Sequence, residues 1–272
     1  MFTGLSAFPL TPMDEQGVDE NAFTCLVQQL VAAKVDSIGA LGSTGSYAYL
    51  SRAERSRVAQ LAVEAAEDVP VMVSIGALRT RDVLLLAEDA QAVGVKALLL
   101  PPVSYQKLTQ DDVFSMYEMV SANVSIPLCV YDNPGTTHFE FTDELHGRIA
   151  ELPNVSSIKI PGVPEAPHLA RERVERLRKL IPSHVTIGIS GDAFAAVGMN
   201  AGCDAWYSVM GGLFPNTALA ITRAALSGDA FEAMRLSESL KPLWALFSQL
   251  SRDSHCSGAT RHYSLSERAF AA

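Results

Sequence analysis

Short apolar, β-branched runs recur along this chain at intervals of roughly 30 residues, the length of one strand–helix unit. They fall at residues 5–8, 37–41, 69–74, 96–100, 126–131, 155–159, 185–189 and 205–209, and only the last interval is shorter. Helical patterns lie between them. Phe23, Leu26, Leu30 and Ala33 form one apolar stripe. Val58, Leu61, Ala62 and Ala65 form a second, after Ser51 and Glu54 at capping-box spacing. Val113, Met116, Tyr117 and Val120 form a third, with Thr109 as its cap. Asp192 is expected to cap a further helix that stops before Gly202. The runs are apolar throughout rather than alternating, as in strands covered on both faces. Strands alternating with helices imply a parallel sheet. Closure into a (β/α)8 TIM barrel is the first choice, and a doubly wound open sheet the second. No Gly-x-Gly-x-x-Gly fingerprint follows the first run, which weakens the open sheet.

A chain of 272 residues suits one such barrel of about 250. We expect the barrel over residues 1–227 and a C-terminal helical extension over 228–272. Residues 230–250 read as one or two helices broken at Pro242, with Met234, Leu236, Leu240, Leu243, Leu246 and Phe247 facing the barrel. From 251 the apolar periodicity stops, and the tail is expected to be poorly ordered. A change of reading frame near Leu250 is one explanation. The net charge of −9, with no basic cluster, speaks against nucleic-acid binding. There is no signal-peptide pattern at the N-terminus and no apolar window of ~18 residues, so a cytoplasmic protein with no membrane contact is expected. Cys25, Cys129 and Cys203 read as small buried residues. The grouping of His255, Cys256 and His262 has no zinc spacing, so neither a metal nor another cofactor is expected.

Lys159 ends the sixth run, just before the turn Pro161-Gly162. Desolvation disfavours an ammonium, and a neutral amine is a nucleophile that forms a Schiff base with a ketone. Tyr131 ends the fifth run, and Ser43 and Thr44 follow the second inside Gly42-Ser43-Thr44-Gly45. In a barrel all of these fall at the C-terminal strand ends, where active sites are built. The set suggests a Schiff-base enzyme acting on a 2-oxo acid. Ser190-Gly191-Asp192 lacks the frame of a serine nucleophile elbow.

Several segments resemble the dihydrodipicolinate synthase / N-acetylneuraminate lyase family of pyruvate-type aldolases. They are Phe8-Pro9-Leu10-Thr11-Pro12-Met13, Gly42-Ser43-Thr44-Gly45, Pro101-Pro102, Tyr131-Asp132-Asn133-Pro134, Ile158-Lys159, Ser190-Gly191-Asp192 and Tyr207-Ser208-Val209. The resemblance implies Lys159 as the imine-forming residue and Tyr131 as the proton carrier. It implies Ser43 and Thr44 as carboxylate binders, and Gly191, Tyr207 and the Pro101-Pro102 loop as pocket lining. It also implies pyruvate or a related 2-oxo acid as substrate, and a homodimer or homotetramer. Two positions depart from the family. Thr136 stands where dihydrodipicolinate synthases carry an arginine for the second carboxylate, and a hydroxyl does not replace a guanidinium fork. Val103-Ser104 stand where a tyrosine pair is usual, with Tyr105 one residue later as a possible substitute. His138 is a further candidate contact at the mouth. The expected activity is therefore an aldolase forming or cleaving a pyruvate-derived 2-oxo acid. Competing readings are a dehydratase of a sugar-derived 2-oxo acid, then dihydrodipicolinate synthesis, then a non-catalytic binding relative.

Overall fold

Eight parallel strands close into a barrel in the computed structural model, which describes residues 1–246. The strands are β1 (Gly4–Ala7), β2 (Ser37–Ala40), β3 (Val71–Ser74), β4 (Ala97–Leu100), β5 (Leu128–Tyr131), β6 (Val155–Ile160), β7 (Thr186–Ile189) and β8 (Ala205–Ser208). Each pairs with its neighbours in sequence, and β8 pairs with β1. The strands sit within two residues of the runs read from sequence. The second stops at Ala40 because Leu41 turns into the left-handed region, with φ 56°. A short hairpin of Met13–Asp14 with Gly17–Val18, not anticipated, precedes the first helix.

The helices are α1 (Glu20–Ala33), α2 (Arg52–Ala65), α3 (Thr80–Ala92), α4 (Gln110–Ser121), the single turn α5 (Pro134–Thr137), α6 (Asp143–Ala150), α7 (Pro167–Arg178), α8 (Ala195–Asn200), α9 (Pro215–Leu226) and α10 (Ala230–Ser239). Ser51 and Glu54 form the capping box of α2, and Thr109 caps α4 in a second box with Asp112. Apolar side chains fill the layer between helices and strands, with Phe23, Leu30, Val58, Tyr117 and Trp206 wholly or almost wholly buried. A smaller cluster of Phe8, Met72, Leu99, Cys129, Tyr131 and Tyr207 fills the barrel interior.

Four expectations need correction. Cys25 is exposed, because Phe23 and Leu26 set the buried face of α1 and position 25 lies on the other side. Asp192 does not cap a helix. Its buried carboxylate accepts from Trp206 Nε1 at 3.0 Å, Ser208 Oγ at 2.9 Å and Met210 N at 2.7 Å, tying the β7 turn to the end of β8. In the C-terminal part Leu236, Leu240 and Leu243 pack on the core, as does Trp244. Met234 and Leu246 are exposed, and Phe247 lies outside the described residues, as does the segment 251–272. Pro242 follows the break between α10 and a helical segment at 241–246. We propose that the barrel spans residues 1–227 and the C-terminal extension begins at 228.

Candidate active site

Strand register builds the site. Tyr131 on β5 pairs directly with Lys159 on β6, and Lys159 pairs in turn with Gly188 on β7. Side chains alternate along a strand, so residues level with one another in neighbouring strands share a face. Tyr131 and Lys159 therefore stand side by side at the C-terminal end of the barrel interior. Gly188 leaves the third position empty of a side chain. The Tyr207 ring occupies that space, since a Cβ on Gly188 would come within 2.1 Å of it.

Lys159 is 6 % exposed, and its Nζ lies 4.4 Å from the centre of the Tyr131 ring. Among the described residues it has no carboxylate or carbonyl partner. The Tyr131 hydroxyl is 2.7 Å from Ser43 Oγ and accepts from Asn133 Nδ2 at 3.1 Å. Its backbone N–H donates to the Tyr117 hydroxyl, which in turn donates to the carbonyl of Leu100. Loop β2–α2 thus supplies Ser43 to the phenol, with Thr44 half-buried beside it in the same turn. Ser43 itself is exposed at the mouth, as is Gly191, whose φ of 80° places it next to Gly162 after β6.

Tyr207 lies one layer deeper than a mouth residue. Its hydroxyl is 2.6 Å from Ser157 Oγ and receives the Cys129 thiol at 3.5 Å, and Thr186 Oγ1 donates to Ser157 at 2.8 Å. Ser157 and Cys129 precede Lys159 and Tyr131 by two residues on their strands, so this polar layer forms the floor beneath the amine. Burial raises the Tyr207 phenol well above its ordinary value and pushes the Cys129 thiol up to about 11, so both stay protonated.

The remaining candidates do not join this cluster. Thr136 and His138 are exposed on and just after the turn α5, with His138 in the left-handed region at φ 56°. Tyr105 is 91 % exposed on the loop after β4 and takes no part in the hydrogen bonds around Tyr131.

Sequence reading missed several groups. Asn133 donates to the Tyr131 hydroxyl, a role its place beside the proline does not reveal. Tyr47 and Arg55 were not singled out. Arg55 is buried on α2, donates to the carbonyls of Ser74 at 2.8 Å and Gly76 at 2.9 Å, and lies 5.0 Å below the Tyr47 ring. Asp132 and His146 form a buried pair at 3.3 Å, with the imidazole stacked on Phe141. A signal existed for two of these. Arg55 and His146 each stand at the helical spacing of a buried stripe, on α2 and α6, where a polar residue needs a reason.

Among the described residues no three metal-ligating side chains lie together, and no helix is long and apolar enough to cross a membrane. The model of the dihydrodipicolinate synthetase family matches residues 1–255. A 4-hydroxy-tetrahydrodipicolinate synthase of Phenylobacterium zucineum is 31% identical over 254 residues, covering 92% of this chain and 84% of the relative. The enzyme of that name from Halorhodospira halophila is 33% identical over 250 residues, covering 89% and 81%. The crystal structure of a dihydrodipicolinate synthase from Agrobacterium tumefaciens superposes with a TM-score of 0.88 at 46% identity, over 92% of this chain and 84% of that one. The chain belongs to the dihydrodipicolinate synthetase family, and with it to the class I, Schiff-base lyases.

Proposed function

We propose that the protein is a pyruvate-dependent aldolase in which Lys159 captures the ketone of a 2-oxo acid. The observation that carries this reading is a buried amine with no charged partner among the described residues, held against a phenol at the rim of a barrel. An unpaired ammonium in that position is costly to bury, and chemistry is the use that offsets the cost. The amine adds to C2 of pyruvate, water leaves, and the iminium draws electrons from C3. Either a C3 proton departs to give an enamine, or the C3–C4 bond of a longer 2-oxo acid breaks. Tyr131 carries the proton, with Ser43 and Asn133 fixing its hydroxyl. Ser43, Thr44 and the backbone N–H groups of their turn bind the carboxylate. Gly191 and Pro101-Pro102 wall the mouth, Tyr207 supports the floor, and Tyr105, Thr136 and His138 are offered to the second substrate. No cofactor enters these steps.

For the second substrate, Thr136 favours an acceptor without a second carboxylate, since a hydroxyl cannot grip one as an arginine does. A second reading, 4-hydroxy-tetrahydrodipicolinate synthesis, is supported by the names of the relatives. A dehydratase acting on a sugar-derived 2-oxo acid begins from the same imine. We further propose a homodimer or homotetramer working in the cytoplasm, which light scattering and cell fractionation test.

Borohydride reduction in the presence of pyruvate tests the core of the reading. The intact mass should rise by the reduced pyruvyl group, and peptide mapping should place it on Lys159. Absence of an adduct at saturating pyruvate rejects the mechanism. Turnover of pyruvate with carboxylate-bearing aldehydes against neutral hydroxyaldehydes then separates the acceptors.

A further inference from the structure

We propose that Tyr47 is a second proton-transfer residue of this site, carrying protons between the Tyr131–Ser43 pair and water at the barrel mouth. This rests on the Schiff-base reading above and adds to it a residue supplied by the same loop.

Tyr47 opens a 3-10 turn, Tyr47–Tyr49, directly after the loop that holds Ser43. Ser46 stands in the left-handed region at φ 54°, and its N–H bonds the Ser43 carbonyl at 3.1 Å, closing the turn that joins the two residues. The Tyr47 side chain is 8 % exposed, so the chain has folded it inward. Its ring is held from below by the Arg55 guanidinium, itself fixed by two carbonyls at the C-terminal end of β3. Cation–π contact and two hydrogen bonds thus clamp the phenol to the strand end next to the site.

Its hydroxyl lies where Gly76 leaves a notch. A Cβ on Gly76 would stand 3.2 Å from that oxygen and 2.3 Å from Pro101 Cγ. Among the described residues the hydroxyl makes no hydrogen bond, although the rest of the side chain is packed. A buried ring with an unclaimed hydroxyl at an active-site rim is available to water or substrate. Burial, with the neighbouring Tyr131 acting in the same direction, pushes this phenol up to about 12, so it is protonated at neutral pH and able to donate.

The C3–H bond of the iminium breaks, its electrons form the C2=C3 bond, and the C2=N π electrons return to the Lys159 nitrogen. Tyr131 takes the proton while passing its own to Ser43. Ser43 keeps that proton and gives up its own through an intervening water to Tyr47, which releases its hydroxyl proton to water at the mouth. The reverse order protonates the enamine.

The test uses the full chain and the variant Tyr47→Phe, which keeps the ring over Arg55. Exchange of the pyruvate methyl protons in D2O is followed by NMR, alongside borohydride trapping. We expect unchanged adduct yield and KM for pyruvate, with exchange at saturation slowed about 10-fold to 100-fold. Exchange within twofold of the unaltered protein overturns the proposal. Loss of adduct together with exchange also overturns it, and assigns Tyr47 to holding the Arg55 clamp. Absence of adduct in the unaltered protein is a different result: it rejects the Schiff-base reading on which the proposal stands.

Discussion

Lys159 and Tyr131 owe their meeting to one register pair, and the chemistry proposed for them to what surrounds each atom. Lys159→Ala should abolish adduct formation and turnover while leaving the circular dichroism spectrum and melting temperature close to those of the unaltered protein. Residual turnover in that variant would move the nucleophile elsewhere. Tyr131→Phe keeps the ring under the amine but removes the oxygen that Ser43 and Asn133 hold, so methyl exchange should slow by about 10²–10⁴-fold. A near-normal rate would leave the phenol a packing role. Gly188→Ala should disturb both residues from the opposite side, because its Cβ meets the Tyr207 ring; overpacking of this kind costs about 1–3 kcal/mol in thermal unfolding. At this scale sequence showed the outline of the candidate site but not its supports. A lysine at the end of an apolar run contradicts its surroundings and draws notice. Tyr47 does not, since a tyrosine after a glycine loop is ordinary until the barrel brings it against Gly76, and Arg55 shows only as a polar break in an apolar helical stripe whose partners are remote in sequence.

Elements were legible where their signal is local. A parallel strand covered on both faces needs only an unbroken apolar run, and a capping box needs only a hydroxyl three residues before an acid. Ser51→Ala should therefore cost about 1 kcal/mol of stability, read from a chemical denaturation midpoint at unchanged slope. An unchanged midpoint would mean that packing alone holds the start of α2. Asp192 shows where local reading stops. It has the residue type and position of a cap, but three donors from β8 and its following turn converge on its carboxylate. Those donors are more than a dozen residues away along the chain, and only closure of the barrel between β7 and β8 supplies them. Cys25 fails for a related reason: an apolar-looking segment has two faces, and the ring of helices chooses one.

Summed over the molecule, these local bonds set the response to acid. Glu54 and Asp112 are held below their ordinary values by the hydroxyls and backbone N–H groups of their capping boxes, and Glu20 and Glu232 by Arg57 and Arg235. Asp143 is also lowered, its partial burial being outweighed by Arg176 and Arg173. In each case the unfolded chain binds the proton more readily. The stability these groups contribute is complete above their unfolded values of 4.5 for Glu and 3.8 for Asp, and is lost as pH falls through the lower folded values. Asp192 acts with the opposite sign. Burial raises it, so its contribution falls as pH rises from 3.8 through its folded value, against the three hydrogen bonds it accepts. With five groups against one, the melting temperature should drop as pH is taken from about 5 to about 3. The capping boxes make the point testable, because glutamine and asparagine keep the acceptor but cannot titrate. The double variant Glu54→Gln, Asp112→Asn should lose less of its melting temperature across that window than the unaltered protein. Parallel slopes for the two would remove both caps from the acid response and leave it to the arginine-paired carboxylates, whose share should then vanish in high salt.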